Sequence, residues 1–141
     1  MIDKERILDT LRELDGFLEE LDAAMPETME EYLASSEKRR VCERLLQLSI
    51  ECVVDASISL VRGLRLGTIS DEENAFTKLE AKKVLSKSLS KRLKDMKGFR
   101  NVLVHRYAQL ENERVYDLLE NNLNDFENFK EAVLKAVKSP S

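Results

Sequence analysis

The sequence predicts an all-α protein folded as an up-and-down helical bundle of four or five principal helices. Three observations carry that prediction. Apolar residues recur three and four positions apart through most of the 141 residues, the spacing of helices with one buried face. Only four glycines and two prolines interrupt the chain. No segment alternates apolar and polar residues with the period of two that a half-buried strand requires. The length supplies one domain with a core but not two, so residues 1–138 are assigned to a single domain and 139–141 to a frayed tail.

The first helix runs from Asp3 to about Ala24, with Ile7, Leu11, Leu14, Leu18 and Leu21 on its inner stripe. Pro26 ends it, lacking a backbone donor and disfavouring helix in the residue before. A short helical piece, Glu27 to Leu33, follows. Ser35 or Ser36 caps a second long helix reaching about Leu64, with Glu37 near the positive end of its dipole.

That second helix carries two apolar stripes. Val41, Leu45, Leu48, Cys52 and Ala56 form one; Leu46, Ile50, Val53, Val54 and Val61 form the other. Two stripes call for two partners, the chain's own bundle and a second copy, so a homodimer is expected. Between them, the row Gln47, Glu51, Asp55 and Arg62 either meets water or holds a cationic side chain from a neighbouring helix.

Gly63 and Gly67 mark the exit, and Ser70-Asp71-Glu72-Glu73 reads as a capping box opening a third helix that ends near Val84 or Leu85. Ser86-Lys87-Ser88 reads as a turn, with Ser88 or Ser90 capping a fourth helix. Its stripe is Leu89, Leu93, Met96, Phe99, Leu103, Tyr107 and Leu110. Asn112 then caps a last helix with Val115, Leu119, Phe126, Phe129, Val133 and Val137 inward, and Lys135 and Lys138 near its negative end.

Several function classes are excluded. No apolar run approaches the roughly 20 residues that span a bilayer. The opening MIDKERILDT lacks the apolar core of a signal peptide. A cytoplasmic protein with no membrane partner is therefore expected. Cys42 and Cys52, if on one helix, stand about 15 Å apart, beyond disulfide reach. They also lack metal-ligand spacing, and no glycine-rich phosphate loop is present, so no metal or cofactor is expected.

The net charge of -4 hides an asymmetry. Between Lys78 and Arg106 there are ten basic residues against two acids, a balance of +8, whereas the remaining 13 basic and 25 acidic residues give -12. Such a run is either a solvated helical face or a positive field that gathers a polyanion while the acidic remainder limits indiscriminate binding.

Within that window lies Arg100-Asn101-Val102-Leu103-Val104-His105-Arg106-Tyr107, which holds the only histidine of the chain. At about 100° per residue, Asn101 lies near 100° and His105 near 140° from Arg100. This puts the three on an arc outside the apolar stripe, with Tyr107 on the core side. Histidine exchanges protons near neutral pH. Arginine grips phosphate oxygens and stabilises the extra charge of a pentacoordinate phosphorus. Asn101 adds an amide donor. Cleavage of RNA by its own 2′-hydroxyl needs a base, an acid and such a cation, but no metal. One histidine cannot serve both sides of the phosphorus, and a twofold dimer would supply a second.

The word Phe99-Arg100-Asn101-Val102-Leu103-Val104-His105-Arg106-Tyr107 resembles the signature of HEPN-domain proteins, an arginine and a histidine four to six residues apart with a polar residue after the arginine. With the tyrosine, Glu31-Tyr32-Leu33 and the segment Gln47 to Asp55, it resembles the HepT-like ribonuclease toxin branch over nearly the whole chain. The resemblance implies a HEPN-like bundle and a homodimeric, metal-independent ribonuclease of a type II toxin–antitoxin pair. Arg100 and His105 would be catalytic in a composite cleft at the dimer interface, with Asn101 and Asp55 supporting. It also implies a minimal nucleotidyltransferase as antitoxin and Tyr107 as the residue that receives nucleotidyl groups. Two other readings keep the same residues: a non-catalytic module binding nucleotide or RNA, and a structural dimeric partner subunit.

Overall fold

The computed structural model describes residues 2–105, 108 and 110–138. Seven helices lie among them: α1 (Lys4–Ala24), α2 (Met29–Ala34), α3 (Ser36–Gly63), α4 (Glu72–Ala81), α5 (Lys87–His105), α6 (Asn112–Asn121) and α7 (Asn124–Lys138). The expected all-α bundle is observed, with α3 at its centre. It packs along α1 and against α2, α4, α5 and α7, while α2 and α6 close one flank.

Helix starts are written locally. A side-chain oxygen accepts the backbone N–H three residues on at Asp3 to Arg6 (3.1 Å), Thr28 to Glu31 (3.1 Å), Ser35 to Lys38 (3.2 Å) and Asp71 to Asn74 (2.8 Å). Ser86 does the same for Leu89 at 3.0 Å. Each such cap contributes about 1 kcal/mol by satisfying a donor that the helix leaves open. The cap of α5 is thus Ser86 rather than Ser88 or Ser90, which lie inside the helix. Glu111, not Asn112, occupies the capping position of α6, without a side-chain hydrogen bond.

Helix ends depart further from expectation. α4 stops at Ala81, short of Val84. The last helix is two, broken at Asn122 and Leu123, where the Asn122 backbone N–H still donates to Leu118 O at 2.8 Å before the chain turns. Asparagine side chains compete for backbone partners and favour such turns. The apolar spacing stays in phase across the break, so periodicity alone hides it.

Two ends share an uncommon device. α3 closes with Leu66 N–H donating to Val61 O and Arg65 N–H to Arg62 O. α4 closes with Val84 N–H to Leu79 O and Lys83 N–H to Glu80 O. Both are Schellman motifs, whose turning residue is left-handed and usually glycine. Here Arg65 (φ 55°) and Lys83 (φ 66°) occupy those positions, at a cost of about 1–2 kcal/mol each. Gly63 answers a different demand, since a Cβ there would lie 2.7 Å from the Ile2 Cα.

The core is a single cluster centred on Ile7, Leu14, Leu46, Ile50, Leu60, Phe76, Phe126 and Phe129, all at most 1% exposed. Tyr32 is also fully buried and meets the Tyr116 ring at 5.3 Å between centroids, and the Tyr116 hydroxyl donates to Pro26 O at 3.3 Å. The bundle covers more of α3 than two stripes suggest. Cys52, Val53, Val54 and Ala56 are all buried within one chain, whereas Val41 is 44% exposed and Leu45 and Leu48 half-buried. Only the N-terminal half of the first stripe is left for a second copy.

Candidate functional site

Arg100, Asn101 and His105 lie in the C-terminal part of α5, whose Leu103 faces the N-terminal half of α3, whereas Asp55 lies in the C-terminal half of α3. Arg40, Glu43, Arg44 and Gln47 of α3 line a shallow groove of about 280 Å³ with Leu103. α3 and α5 therefore run antiparallel. Val41 and Val104, 44% and 40% exposed, directly follow the groove residues Arg40 and Leu103 in sequence, so each helix presents an exposed apolar residue at this end.

Arg100 does not simply share an outer arc with His105. Its side chain is 12% exposed and turned toward α4, where the Nη2 donates to the Glu72 carboxylate. Glu72 itself sits in the first turn of α4, at the positive end of the helix dipole. The Nε of Arg100 is buried and has no hydrogen-bond partner among the described residues. A buried donor left unmet costs about 1–3 kcal/mol, so the described residues satisfy this guanidinium incompletely.

His105 ends α5 and is exposed, and Asn101 one turn earlier is half-buried. Tyr107 lies outside the described residues, as does Arg106.

Asp55 is exposed on α3 and belongs to an acidic neighbourhood. Partial burial raises its carboxyl above the ordinary value, Glu51, Glu72 and Glu13 push the same way, and Arg6 opposes them. No ion pair joins it to Arg100, and within the polar row Gln47 donates to Glu51 at 3.1 Å. The carboxylate that takes the arginine thus comes from α4 rather than from the row on α3. Sequence reasoning gave Glu72 only a capping role, because the 28 residues separating the pair leave no local signal.

Cys42 and Cys52 are buried free thiols, as expected. Burial, followed by Glu13, Asp55 and Glu51, pushes Cys52 up to about 12. Neither is a poised nucleophile. Among the described residues, no group of three or more His, Cys, Asp or Glu side chains could hold a metal ion, and no helix is long and apolar enough to cross a membrane.

The chemistry available is that of a proton-exchanging imidazole, an anchored guanidinium and a nearby amide, with a groove and exposed apolar residues on which a second surface can close. A family model for HepT-like ribonucleases matches residues 7–133. The tRNA nuclease HepT of Aphanizomenon flos-aquae is 31% identical over 111 residues, which span 78% of this chain and 76% of the relative. The mRNA nuclease HepT of Shewanella oneidensis is 32% identical over 88 residues, 62% of this chain and 66% of the relative. In three dimensions the chain is similar to a tri-AMPylated HEPN toxin of Shewanella oneidensis solved in complex with an MNT antitoxin. The TM-score is 0.86 at 25% identity, with 96% of this chain and 99% of the other covered.

Proposed function

The chain belongs to the HepT-like ribonuclease family, and on that premise we propose that it is the RNA-cleaving toxin of a toxin–antitoxin pair, with Arg100 and His105 as its catalytic residues. The observation that carries the residue assignment is their contrast in setting. Arg100 is fixed by Glu72 with a donor unspent among the described residues, while His105 is exposed at the helix end.

Two copies of the chain complete the site. In the reaction, the 2′-oxygen of RNA attacks the adjacent phosphorus and gives its proton to one His105. The bond from phosphorus to the 5′-oxygen breaks, and that oxygen takes a proton from the His105 of the second copy. The products are a 2′,3′-cyclic phosphate and a free 5′-hydroxyl. Arg100 stabilises the charge that builds on the non-bridging oxygens, and Asn101 donates to one of them. Asp55, remote from Arg100 in charge pairing, acts through the local field. The second copy seats against the exposed Val41 and Val104 and the half-buried Leu45 and Leu48.

Control follows the relatives' pattern. A nucleotidyltransferase antitoxin transfers AMP from ATP to the Tyr107 hydroxyl, which loses its proton as pyrophosphate leaves, and thereby adds bulk and negative charge two residues past His105 in sequence. The cytoplasm is the compartment in which this chemistry meets RNA. Purified protein should cleave RNA in the presence of a chelator, and His105→Ala should abolish cleavage with an unchanged melting temperature. Undiminished cleavage by that variant would overturn the assignment. Co-expression with the antitoxin should add the mass of one or more AMP groups to the chain, and Tyr107→Phe should prevent it.

A further inference from the structure

The +8 window does not spend its charge evenly. Lys78 donates to Leu66 O at 3.1 Å, Arg92 pairs with Asp125 at 2.8 Å, and Arg100 pairs with Glu72. Lys82, Lys83, Lys87, Lys91, Lys94 and Lys97, by contrast, have no acidic partner within 4 Å among the described residues. Six uncompensated ammonium groups repel one another, so a polyanion that neutralised them would be bound.

Their placement is directional. At about 100° per residue, Lys87, Lys94 and His105 fall within roughly 20° of one another on α5, with Lys91 some 40° away. Gly98 lies on the same line, and a Cβ there would meet nothing within 4 Å. The exposed face of α5 is thus mostly cationic over its first two turns, with Asp95 beside Lys91 as the one acid of the helix, and carries the histidine at its far end.

Near the start of α5 lies an open cleft of about 920 Å³ between the end of α3, the turn from α4 to α5, and α7, with Ser86 and Leu89 in its lining. Arg65, Lys82, Lys83 and Lys135 line it against a single acid, Glu131. Arg65 and Lys83 are also the two non-glycine residues with positive φ among those described. Two independent helix ends, 18 positions apart, thus hold a cation in a conformation that glycine would adopt without strain, and both cations line one cleft.

We propose that this cleft is a second RNA site, which grips the phosphate backbone of the substrate at a distance from the bond that is cut. It rests on the ribonuclease reading for the identity of the ligand, but its geometry is separate from Arg100. The axis from Ser86 to His105 is about 28 Å long, which at ~3.4 Å per phosphate along one strand spans on the order of eight nucleotides. RNA lying along α5 occupies the cleft and the catalytic end together. Short fragments reach only one of them. The contacts are to phosphates, so the site sets affinity and register rather than base preference.

The strained cations provide their own test. In a His105→Ala background, which leaves RNA intact, Arg65→Gly combined with Lys83→Gly removes two charges and relieves two left-handed residues. Its melting temperature should equal or exceed that of the parent. Should it fall, Arg65→Asn with Lys83→Asn, which also tolerates positive φ, takes its place. Fluorescence anisotropy with a labelled 20-nucleotide single-stranded RNA should then give roughly tenfold weaker binding at 0.1 M salt. The slope of log K against log salt should be about 1.4 shallower, from ~0.7 per lost single-strand phosphate contact. Lys38→Gln with Arg114→Gln makes the same change of net charge at residues outside the cleft lining and should leave both quantities near parental values.

Equal weakening by the control pair would reduce the effect to net charge and overturn the proposal. So would parental RNA affinity and slope in the cleft variant. If that variant instead loses its grip on the antitoxin, the cleft belongs to an acidic protein surface. A parent that binds RNA through the cleft but never cuts it would remove the catalytic reading and leave this one standing.

Discussion

At the scale of single residues, the most informative contact is the ion pair between Glu72 and Arg100. An arginine on a helix samples many rotamers, and tethering one of its nitrogens to a carboxylate on a different helix limits them before substrate arrives. Glu72→Gln should therefore lower kcat by about 10- to 100-fold, the loss that small misplacements of catalytic groups bring, while KM changes less. Glu72→Asp should recover part of it. A variant with normal kcat but a lowered melting temperature would assign the pair to stability alone. Asp55 offers a contrasting case. Its raised carboxyl makes the ionised form costly in the folded chain, so its unfavourable contribution is fully present at neutral pH and vanishes below the ordinary carboxylate value of ~3.9. Asp55→Asn should raise the melting temperature at pH 7 and leave it unchanged near pH 3. A gain that persists at pH 3 would mean that charge is not its origin.

At the scale of elements, the joint between α1 and α3 is the tightest constraint on the backbone. A methyl group at Gly63 would press on the Ile2 Cα rather than on a flexible side-chain tip. Gly63→Ala should thus destabilise by about 1–3 kcal/mol, the range for overpacking, measurable by urea denaturation, whereas Gly98→Ala meets open space and should not. The same elements mark how far the sequence could be read. Starts at Asp3 and Ser35 were legible because a cap is a local bond between residues three apart. The end of α3 near Leu64 was legible too, but the left-handed residues that make the turns after α3 and α4, Arg65 and Lys83, were not, because local propensity assigns such a position to glycine and here two cations hold it. Within the candidate site, the Arg100–His105 spacing was legible as a motif, but the arginine's anchor was not. Glu72 reaches it only through the packing of α4 on α5, which no spacing within one helix encodes. The basic cleft was hidden for a related reason: Arg65 and Lys135 fall outside the +8 window and join it only in space.

At the scale of the whole molecule, the antiparallel run of α3 and α5 separates the two ends to which we assign different tasks. One end carries Arg100, His105 and the uncovered apolar residues Val41 and Val104, and the other carries the cationic cleft. Because the cleft stands far from these apolar residues, two copies can close on the catalytic end while each keeps its own cleft open to RNA. That arrangement makes a quantitative prediction about mixtures. If each act of cleavage uses one imidazole from each copy, only a dimer of two parental chains is active. When parent and His105→Ala protein are unfolded together and refolded at a fixed total concentration, activity should fall as the square of the parental fraction. A linear fall would mean that each chain cuts alone. Val41→Glu supplies the complementary arm. It places an unpaired charge in the proposed contact, so it should yield a folded monomer by light scattering whose cleavage is lost, although its Arg100 and His105 are intact. A monomeric Val41→Glu protein with parental activity would contradict the shared site, and it would return the histidine to a role that a single α5 performs without help.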